Sequence, residues 1–287
     1  MALPSPIFIV GLGYTGRRLA LSLAGSGLPV MGTARTPGGA PELTGAGVAV
    51  ITGCLEEAER LAARVPPGAR IVYTAPPVGP PGPTDAGARA FFATVREAAH
   101  THLVYLSSTG VYAESGGGAV DESAPVRTGD LRAARRLDAE QAVLETASAL
   151  GATGIVFRCA GIYGPGRTLA RRLREGRLKL WGGGHNYVCR IHVDDLVRFL
   201  RAALEAAPAC SGIYNLADDR ATPLRTHALD LARRLGLPPP PEAPLSDAPS
   251  PTLTGSKRVV NTRAKRTFGL DLLYPSYDAA YDALGVD

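Results

Sequence analysis

Short apolar runs alternate with amphipathic stretches along the first half of this chain. The runs are rich in β-branched and aromatic residues and are bounded by glycine, proline or polar residues, a pattern typical of buried strands. The predicted strands cover residues 6–10, 28–33, 48–51, 71–74, 102–107 and 154–158, and the predicted helices cover residues 15–25, 55–65, 88–99 and 132–150. Strands that alternate with helices at this spacing indicate stacked βαβ units.

Stacked βαβ units predict an α/β fold, specifically a Rossmann-type doubly wound parallel sheet. The alternation weakens after residue 166, where helical segments mix with short strands. We therefore predict a Rossmann domain over residues 1–166, with 190–220 rejoining its sheet. Residues 167–287 should mainly form a small C-terminal substrate lobe, built from 167–189 and 221–287. We expect ligands between the two.

Charge, hydropathy and cysteine spacing argue against several classes of function. The net charge is +5, but basic and acidic residues are interspersed, so we expect no nucleic-acid partner. No apolar run reaches the ~20 residues of a membrane span, and no signal sequence is evident, so the prediction is a soluble, cytoplasmic protein without a membrane partner. The four cysteines lack metal-binding spacing and are expected to be small core residues in a reducing compartment. No metal is predicted.

A glycine motif follows the first predicted strand. Gly11-Leu12-Gly13-Tyr14-Thr15-Gly16 fits G-x-G-x-x-G, with a strand ending at Val10 and a helix opening near Thr15. In this context the first glycine permits a tight turn, the second admits a pyrophosphate and the third allows helix–strand packing. The motif predicts a dinucleotide site that includes Gly11, Gly13, Tyr14, Thr15 and Gly16.

The end of the second strand bears on the choice of cofactor. An acidic residue there would bind the ribose hydroxyls of NAD, but the sequence is Gly32-Thr33-Ala34-Arg35. The guanidinium of Arg35 can pair with a 2′-phosphate, which favours NADP over NAD. The alternative is a solvated surface arginine, since 28 of the 31 basic residues are arginine (all but Lys179, Lys257 and Lys265).

Several motifs together resemble the extended short-chain dehydrogenase/reductases of the NAD-dependent epimerase/dehydratase family, and more narrowly their atypical branch. The motifs are GLGYTG (11–16), VYTAPP (72–77), YLSSTGVY (105–112), FRCAGIYGPGR (157–167), RIHVDD (190–195), IYNLADD (213–219) and SKRVVNTRAKRTFGL (256–270). The resemblance implies a small-molecule substrate and a cofactor loop that includes Pro76. A homodimer would be ordinary for such relatives.

The resemblance also implies a catalytic site that this chain does not reproduce. Active members combine a Ser or Thr after the fifth strand, here Ser108, with a Tyr-x-x-x-Lys pair on the following helix. Anchoring on Ala139-Glu140-Gln141 places Arg132 at the tyrosine and Arg136 at the lysine. No tyrosine lies between residues 113 and 162, and no lysine precedes Lys179. An arginine holds its proton too tightly to act as an acid or base near pH 7, although Arg136 can contact ribose or phosphate and Arg132 an anionic substrate group.

Tyr163 and Thr109 each have two possible roles. Tyr163 is either a catalytic phenol or a structural residue of the nicotinamide pocket, and Thr109 either donates to substrate or packs. Arg190 and Arg258 match positions where relatives hold substrate phosphates, which indicates a nucleotide-linked or other anionic ligand.

Three hypotheses follow in order. The first is an NADP- or NAD-dependent oxidoreductase or epimerase/dehydratase-like enzyme with non-standard acid/base residues. The second is a catalytically silent NADP-binding sensor or regulator, and the third is a scaffold without cofactor. The substrate and the direction of reaction stay open.

Overall fold

The computed structural model describes residues 5–36, 41–249 and 253–285. Contacts divide them into two compact units. The first unit comprises the residues up to Val111, together with Arg127–Arg158 and Leu196–Tyr214. The second comprises Tyr112–Val126, Cys159–Asp195 and the described residues from Asn215 onward.

The strands and helices follow in chain order. The strands are β1 Ile7–Val10, β2 Val30–Ala34, β3 Ala49–Thr52, β4 Arg70–Tyr73, β5 His102–Ser108, β6 Ala119–Val120, β7 Thr153–Cys159, β8 Gly161–Tyr163, β9 Leu180–Trp181, β10 Tyr187–Val188, β11 Arg190–His192, β12 Gly212–Leu216, β13 Thr222–Pro223, β14 Glu242–Ala243 and β15 Arg258–Val259. The helices are α1 Tyr14–Leu23, α2 Pro41–Gly45, α3 Ala58–Ala62, α4 Ala86–Val95, α5 Leu131–Leu150, α6 Ala170–Arg174, α7 Val193–Ala203, α8 Leu224–Leu235, α9 Thr262–Phe268 and α10 Tyr277–Leu284.

A seven-stranded sheet has the order β12-β7-β5-β4-β1-β2-β3. The run from β3 through β1 to β5 is parallel, with β1 paired to both β2 and β4. The order matches that of a dinucleotide-binding sheet, in which the first strand is central and the chain reverses direction beside it. The predicted Rossmann-type α/β fold is confirmed.

The central strands are buried on both faces. All four residues of β1 are at most 1% exposed. Phe8 and Val10 belong to one core cluster with Phe91 of α4 and Val143 of α5, whereas Ile7 and Ile9 are buried outside that cluster. Alternate side chains of a strand point to opposite faces, so both faces of the sheet are covered, as a parallel sheet requires.

The helices that flank the site have well-defined ends. Asp130 caps α5 by accepting hydrogen bonds from the backbone N–H groups of Arg132 (2.8 Å) and Ala133 (3.2 Å), and the helix ends at Gly151, which has φ +63°. The predicted helix over 55–65 was wrong in form: a 3₁₀ turn at Leu55–Glu57 precedes the short α3. α2 was not predicted at all, because five residues give too few turns for a helical period.

The second unit is built from short elements around an apolar cluster. Strands β8 and β11 pair in parallel, with Gly161 opposite Arg190 and Tyr163 opposite His192. Helices α6, α8 and α10 supply most of the buried apolar residues, including Leu173, Leu231 and Tyr277. Within the described residues, no helix is long and apolar enough to cross a membrane.

Candidate functional site

The glycine loop follows β1 at the carboxyl edge of the sheet. Gly11 has φ +96°, a conformation that glycine adopts without strain. A Cβ on Gly11 would lie 3.1 Å from the backbone of Ala75, and a Cβ on Gly16 would overlap the carbonyl oxygen of Gly11. These two glycines are therefore required by packing of the protein on itself.

Gly13 differs from Gly11 and Gly16 because no packing contact requires a glycine at this position. It has an ordinary φ of −81°, it is exposed, and a Cβ placed on it would meet nothing within 4 Å. The protein itself therefore leaves space beside Gly13. Gly13 is also the N-cap of α1, where it makes no side-chain cap hydrogen bond, and the first turn contains no acidic residue. An uncapped helix N-terminus next to open space suits a pyrophosphate.

Two threonines hold this loop, and the sequence analysis did not identify them. Thr33 of β2 accepts a hydrogen bond from the backbone N–H of Gly11 at 2.9 Å, and its carbonyl accepts from Leu12 N–H at 2.7 Å. Thr74, directly after β4, donates its hydroxyl to the carbonyl of Gly11 at 2.7 Å. The loop is thus fixed to the strands on both sides of β1.

The remaining cofactor candidates also follow strands of this sheet. Arg35 comes directly after β2 and is exposed. Pro76 follows β4 and is exposed, at the start of the Pro/Gly-rich loop. Arg135 of α5 holds that loop through the carbonyls of Pro80 and, at 2.8 Å, Gly82. Because β1, β2, β4 and β5 are parallel neighbours, their carboxyl ends and the residues after them lie at one edge.

The candidate catalytic residues of the first unit lie on β5 and α5. Ser108 ends β5 and its Oγ accepts a hydrogen bond from Gly110 N–H at 3.1 Å; Thr109 follows in a 3₁₀ turn. Arg132 is exposed in the first turn of α5. Arg136, one turn later, donates to the carbonyl of Leu106 on β5 at 3.4 Å. Arg136 is therefore directed to the strand that carries Ser108.

Two buried tyrosines near these residues, Tyr73 and Tyr105, are poorly suited to acid/base chemistry at neutral pH. Tyr73 and Tyr105 are fully buried, and burial raises the pKa of each phenol well above its ordinary value of 10.0. Arg136 opposes this shift at Tyr105 only in part. A phenol with a raised pKa is a poorer base and a poorer acid near pH 7 than an unperturbed one.

A buried ion pair supports the end of β5. Glu140 of α5 accepts hydrogen bonds from Arg158 of β7, with Nη2 to Oε2 at 2.7 Å and Nε at 3.1 Å. Glu140 also accepts from the Ser107 hydroxyl at 2.5 Å. The three side chains join α5, β7 and the residue that precedes Ser108, so the position of Ser108 depends on residues that do not themselves face solvent.

The second unit contains the other predicted site residues. Tyr163 is 3% exposed, its hydroxyl donates to the carbonyl of Ser276 at 3.3 Å, and burial raises its pKa. Tyr163 and Arg190 line one cavity. Arg258 does not line this cavity: its Nε donates to the carbonyl of Gly117 at 2.7 Å and its guanidinium lies over the ring of Tyr187.

The fold and the glycine loop together define a nucleotide-binding α/β protein. A family model described as "NAD dependent epimerase/dehydratase family" matches residues 7–217, and the chain belongs to that family. The predicted family is thereby confirmed. Family membership supports an NAD(P)-binding oxidoreductase or epimerase-like function, and it leaves the substrate unassigned.

Individual relatives add detail. A 3-diazoavenalumate denitrifying reductase from a Streptomyces species is 32% identical over 199 residues, which span 63% of this chain and 64% of that protein, just under two thirds of its length. A solved structure of a functionally unknown conserved protein from Silicibacter pomeroyi has a TM-score of 0.81 and 28% identity and covers 98% of both chains. The structure of MoeE5 in complex with UDP-glucose and NAD has a TM-score of 0.78 and covers 96% of both chains, and at 19% identity it shows a shared fold.

Proposed function

We propose that this chain is an NAD(P)-dependent oxidoreductase or epimerase-like enzyme that acts on a small anionic molecule and prefers NADP. The observation that carries the proposal is the glycine loop, which Thr33 and Thr74 hold rigidly while the space beside Gly13 stays open. The open space beside Gly13 has no packing function for the protein itself. It fits a dinucleotide phosphate group.

The roles of the residues follow from their positions. The N-terminus of α1 and the backbone of Gly13 would hold the pyrophosphate, and Arg35 would pair with a 2′-phosphate. Ser108 would donate a hydrogen bond to the substrate oxygen, and Arg136 would contact ribose or phosphate. Arg132 would stabilise an anionic substrate group. When bound, the cofactor supplies or accepts a hydride.

The proposed replacement of the Tyr-x-x-x-Lys pair by Arg132 and Arg136 limits the reactions that this site can catalyse. Arg132 and Arg136 would hold transition-state charge without delivering a proton near pH 7. Hydride acceptors that need no proton from the protein therefore fit this site better than simple ketones. The relative named for 3-diazoavenalumate supports testing electrophilic nitrogen compounds, and MoeE5, solved with UDP-glucose, supports testing sugar nucleotides.

The test is calorimetric titration of the full chain with NADPH and with NADH. We expect tighter binding of NADPH, and Arg35→Ala should weaken NADPH binding about tenfold to a hundredfold while it leaves NADH binding unchanged. Arg60→Ala is the matched control, since Arg60 is an exposed arginine on α3. No binding of either nucleotide would refute the proposal, and equal loss of both in Arg35→Ala would refute the NADP preference.

A second candidate is a silent NADP-binding sensor or regulator. The observation that favours it is the raised pKa of Tyr73 and Tyr105, which makes these two buried phenols poor proton donors and acceptors near pH 7. Turnover separates the two candidates. Consumption of NADPH with an aryl diazonium or a ketone, or epimerisation of a UDP-sugar with the oxidised cofactor, reduced at least tenfold in Ser108→Ala, supports the enzyme. Tight binding without either reaction supports the sensor.

A further inference from the structure

The Pro/Gly-rich loop, residues 76–84, joins β4 to α4 at the carboxyl edge of the sheet. It follows Thr74 and Ala75, which both contact the glycine loop: the Thr74 hydroxyl donates to the carbonyl of Gly11, and Ala75 occupies the space beside the same glycine. The Pro/Gly-rich loop therefore begins beside the proposed nucleotide site. Such a loop either closes when a ligand arrives or is held in place beforehand, and its contacts distinguish the two.

Arg135 of α5 binds the middle of the Pro/Gly-rich loop. Its Nε donates to the carbonyl of Gly82 at 2.8 Å, and its Nη2 donates to the carbonyl of Pro80. A guanidinium presents its donors in a rigid planar fork, so two carbonyls bound to one guanidinium fix the course of the backbone between them. The side chain of Arg135 is half-buried, which reduces competition from water for these carbonyls.

Asp85 fixes the end of the same loop to the start of α4. It is fully buried and is the N-cap of α4, and its Oδ1 accepts from the backbone N–H groups of Ala88 at 3.1 Å and Val78 at 3.3 Å. One oxygen therefore caps the helix and holds the loop. The backbone N–H of Asp85 donates to Asp138 of α5 at 3.0 Å, and Arg89 of α4 donates to Asp138 at 2.8 Å. The loop is thus held from α4 and α5 together.

Val78 also packs directly on the first turn of α4. A Cβ on Gly87 would lie 2.3 Å from Cγ2 of Val78, so the loop occupies the space that a side chain at position 87 would need. Glycine is a poorer helix former than alanine, and this close approach explains its presence inside the helix. The Pro/Gly-rich loop is therefore both hydrogen-bonded and packed in its place without any ligand.

We infer that Arg135 and Asp85 are positioning residues for the nucleotide, because they hold the Pro/Gly-rich loop in its binding conformation before the nucleotide arrives. The inference rests on the proposed function, since it needs a nucleotide beside the glycine loop. A loop that is already ordered loses little further conformational entropy when a ligand binds against it. A loop that occupied the binding conformation only about a tenth of the time would lower the apparent affinity about tenfold.

The test combines calorimetric titration of the full chain with amide hydrogen exchange of the Pro/Gly-rich loop. Arg135→Gln should weaken the binding of NADPH and NADH alike, by about threefold to thirtyfold. It should also speed exchange at the Val78 amide, while Tm changes by less than about 3 °C because the loop opens locally. Arg135→Lys keeps the charge without the planar fork and should show a smaller loss. Arg96→Gln, at an exposed arginine at the opposite end of α4, is the matched control.

Saturating NADPH supplies a readout that a purely structural role would not move. Because nucleotide binding and ordering of the loop are linked, NADPH should restore slow exchange of the loop in Arg135→Gln. Faster exchange with unchanged affinity would show that the loop takes no part in binding and would overturn the inference. Wild-type protein that binds neither nucleotide would overturn the proposed function as well, so the two failures are distinguishable.

Gly87→Ala displaces the Pro/Gly-rich loop without changing its hydrogen-bonding side chains. The new Cβ would overlap Val78, so the loop has to move, whereas alanine itself favours the helix. We expect weaker binding of both nucleotides with little change in Tm. The double variant Gly87→Ala with Val78→Ala removes the overlapping methyl group and should regain most of the affinity. A double variant that binds no more tightly than Gly87→Ala would overturn the role given to the position of the loop.

Discussion

Glu140 and Arg158 form a buried ion pair, with side chains 3% and 6% exposed, at the end of the sheet that carries Ser108. Removing one partner leaves the other charged group buried and unpaired, which costs about 3–5 kcal/mol. We expect Glu140→Ala to lower the free energy of unfolding by this amount, measured by urea denaturation.

Two further variants test whether the loss of stability comes from the buried ion pair. Glu175→Ala removes the exposed carboxylate that pairs with Arg171, and such surface pairs contribute at most about 1 kcal/mol. The double variant Glu140→Leu with Arg158→Met should regain much of the lost stability, because it leaves no buried charge. A Glu140→Ala protein as stable as Glu175→Ala would contradict the role of the pair.

Substitutions of Gly13 and Gly16 should have different effects on nucleotide binding and on folding stability. Gly13→Val places its side chain in open space at an ordinary φ, so it should lower the free energy of unfolding by at most about 1 kcal/mol. The same side chain would occupy the space proposed for the pyrophosphate and should abolish nucleotide binding. Gly16→Ala collides with the carbonyl of Gly11 and should lower stability by about 1–3 kcal/mol. Thermal unfolding and calorimetry together check both variants, and unimpaired NADPH binding by Gly13→Val would be the contrary result.

The sequence was sufficient for the fold and for the glycine loop because both have local signatures. The first strand is a continuous apolar run, and the glycines follow it at a fixed spacing. The coordinates agree with the roles expected from the motif, because Gly11 and Gly16 serve packing whereas Gly13 borders open space.

The supporting residues could not be predicted because their partners are distant in the chain. Thr33 and Gly11 are 22 residues apart, and Ser107 and Glu140 are 33 apart. A buried threonine or glutamate has the same appearance in a sequence as any other, so its role depends on tertiary contacts that only coordinates supply.

Substitution of Thr33 should weaken the binding of NADPH and of NADH equally. Thr33→Val preserves the shape of the side chain but removes the acceptor of the Gly11 N–H, so the loop should lose part of its fixed geometry. A hydrogen bond of this kind contributes about 0.5–1.5 kcal/mol, so we expect the affinities for NADPH and NADH to fall about threefold to tenfold together. Calorimetry on Thr33→Val beside Arg35→Ala distinguishes positioning of the loop from recognition of the 2′-phosphate. A selective loss of NADPH binding in Thr33→Val would be inconsistent with this interpretation.

Asp218 should make the protein less stable as the pH rises. Its pKa is raised from 3.8 to about 8 in the folded state, so between those values the folded chain binds the proton that the unfolded chain releases. The free energy of unfolding contributed by this group therefore falls with increasing pH, by at most about 1.4 kcal/mol per pH unit. Asp218→Asn removes the titration, so the stability of the variant relative to wild type should increase from pH 5 to pH 8 in urea denaturation. Asp247→Asn, at an exposed aspartate, should show a constant difference. Parallel stability curves for Asp218→Asn and wild type would contradict the raised pKa of Asp218.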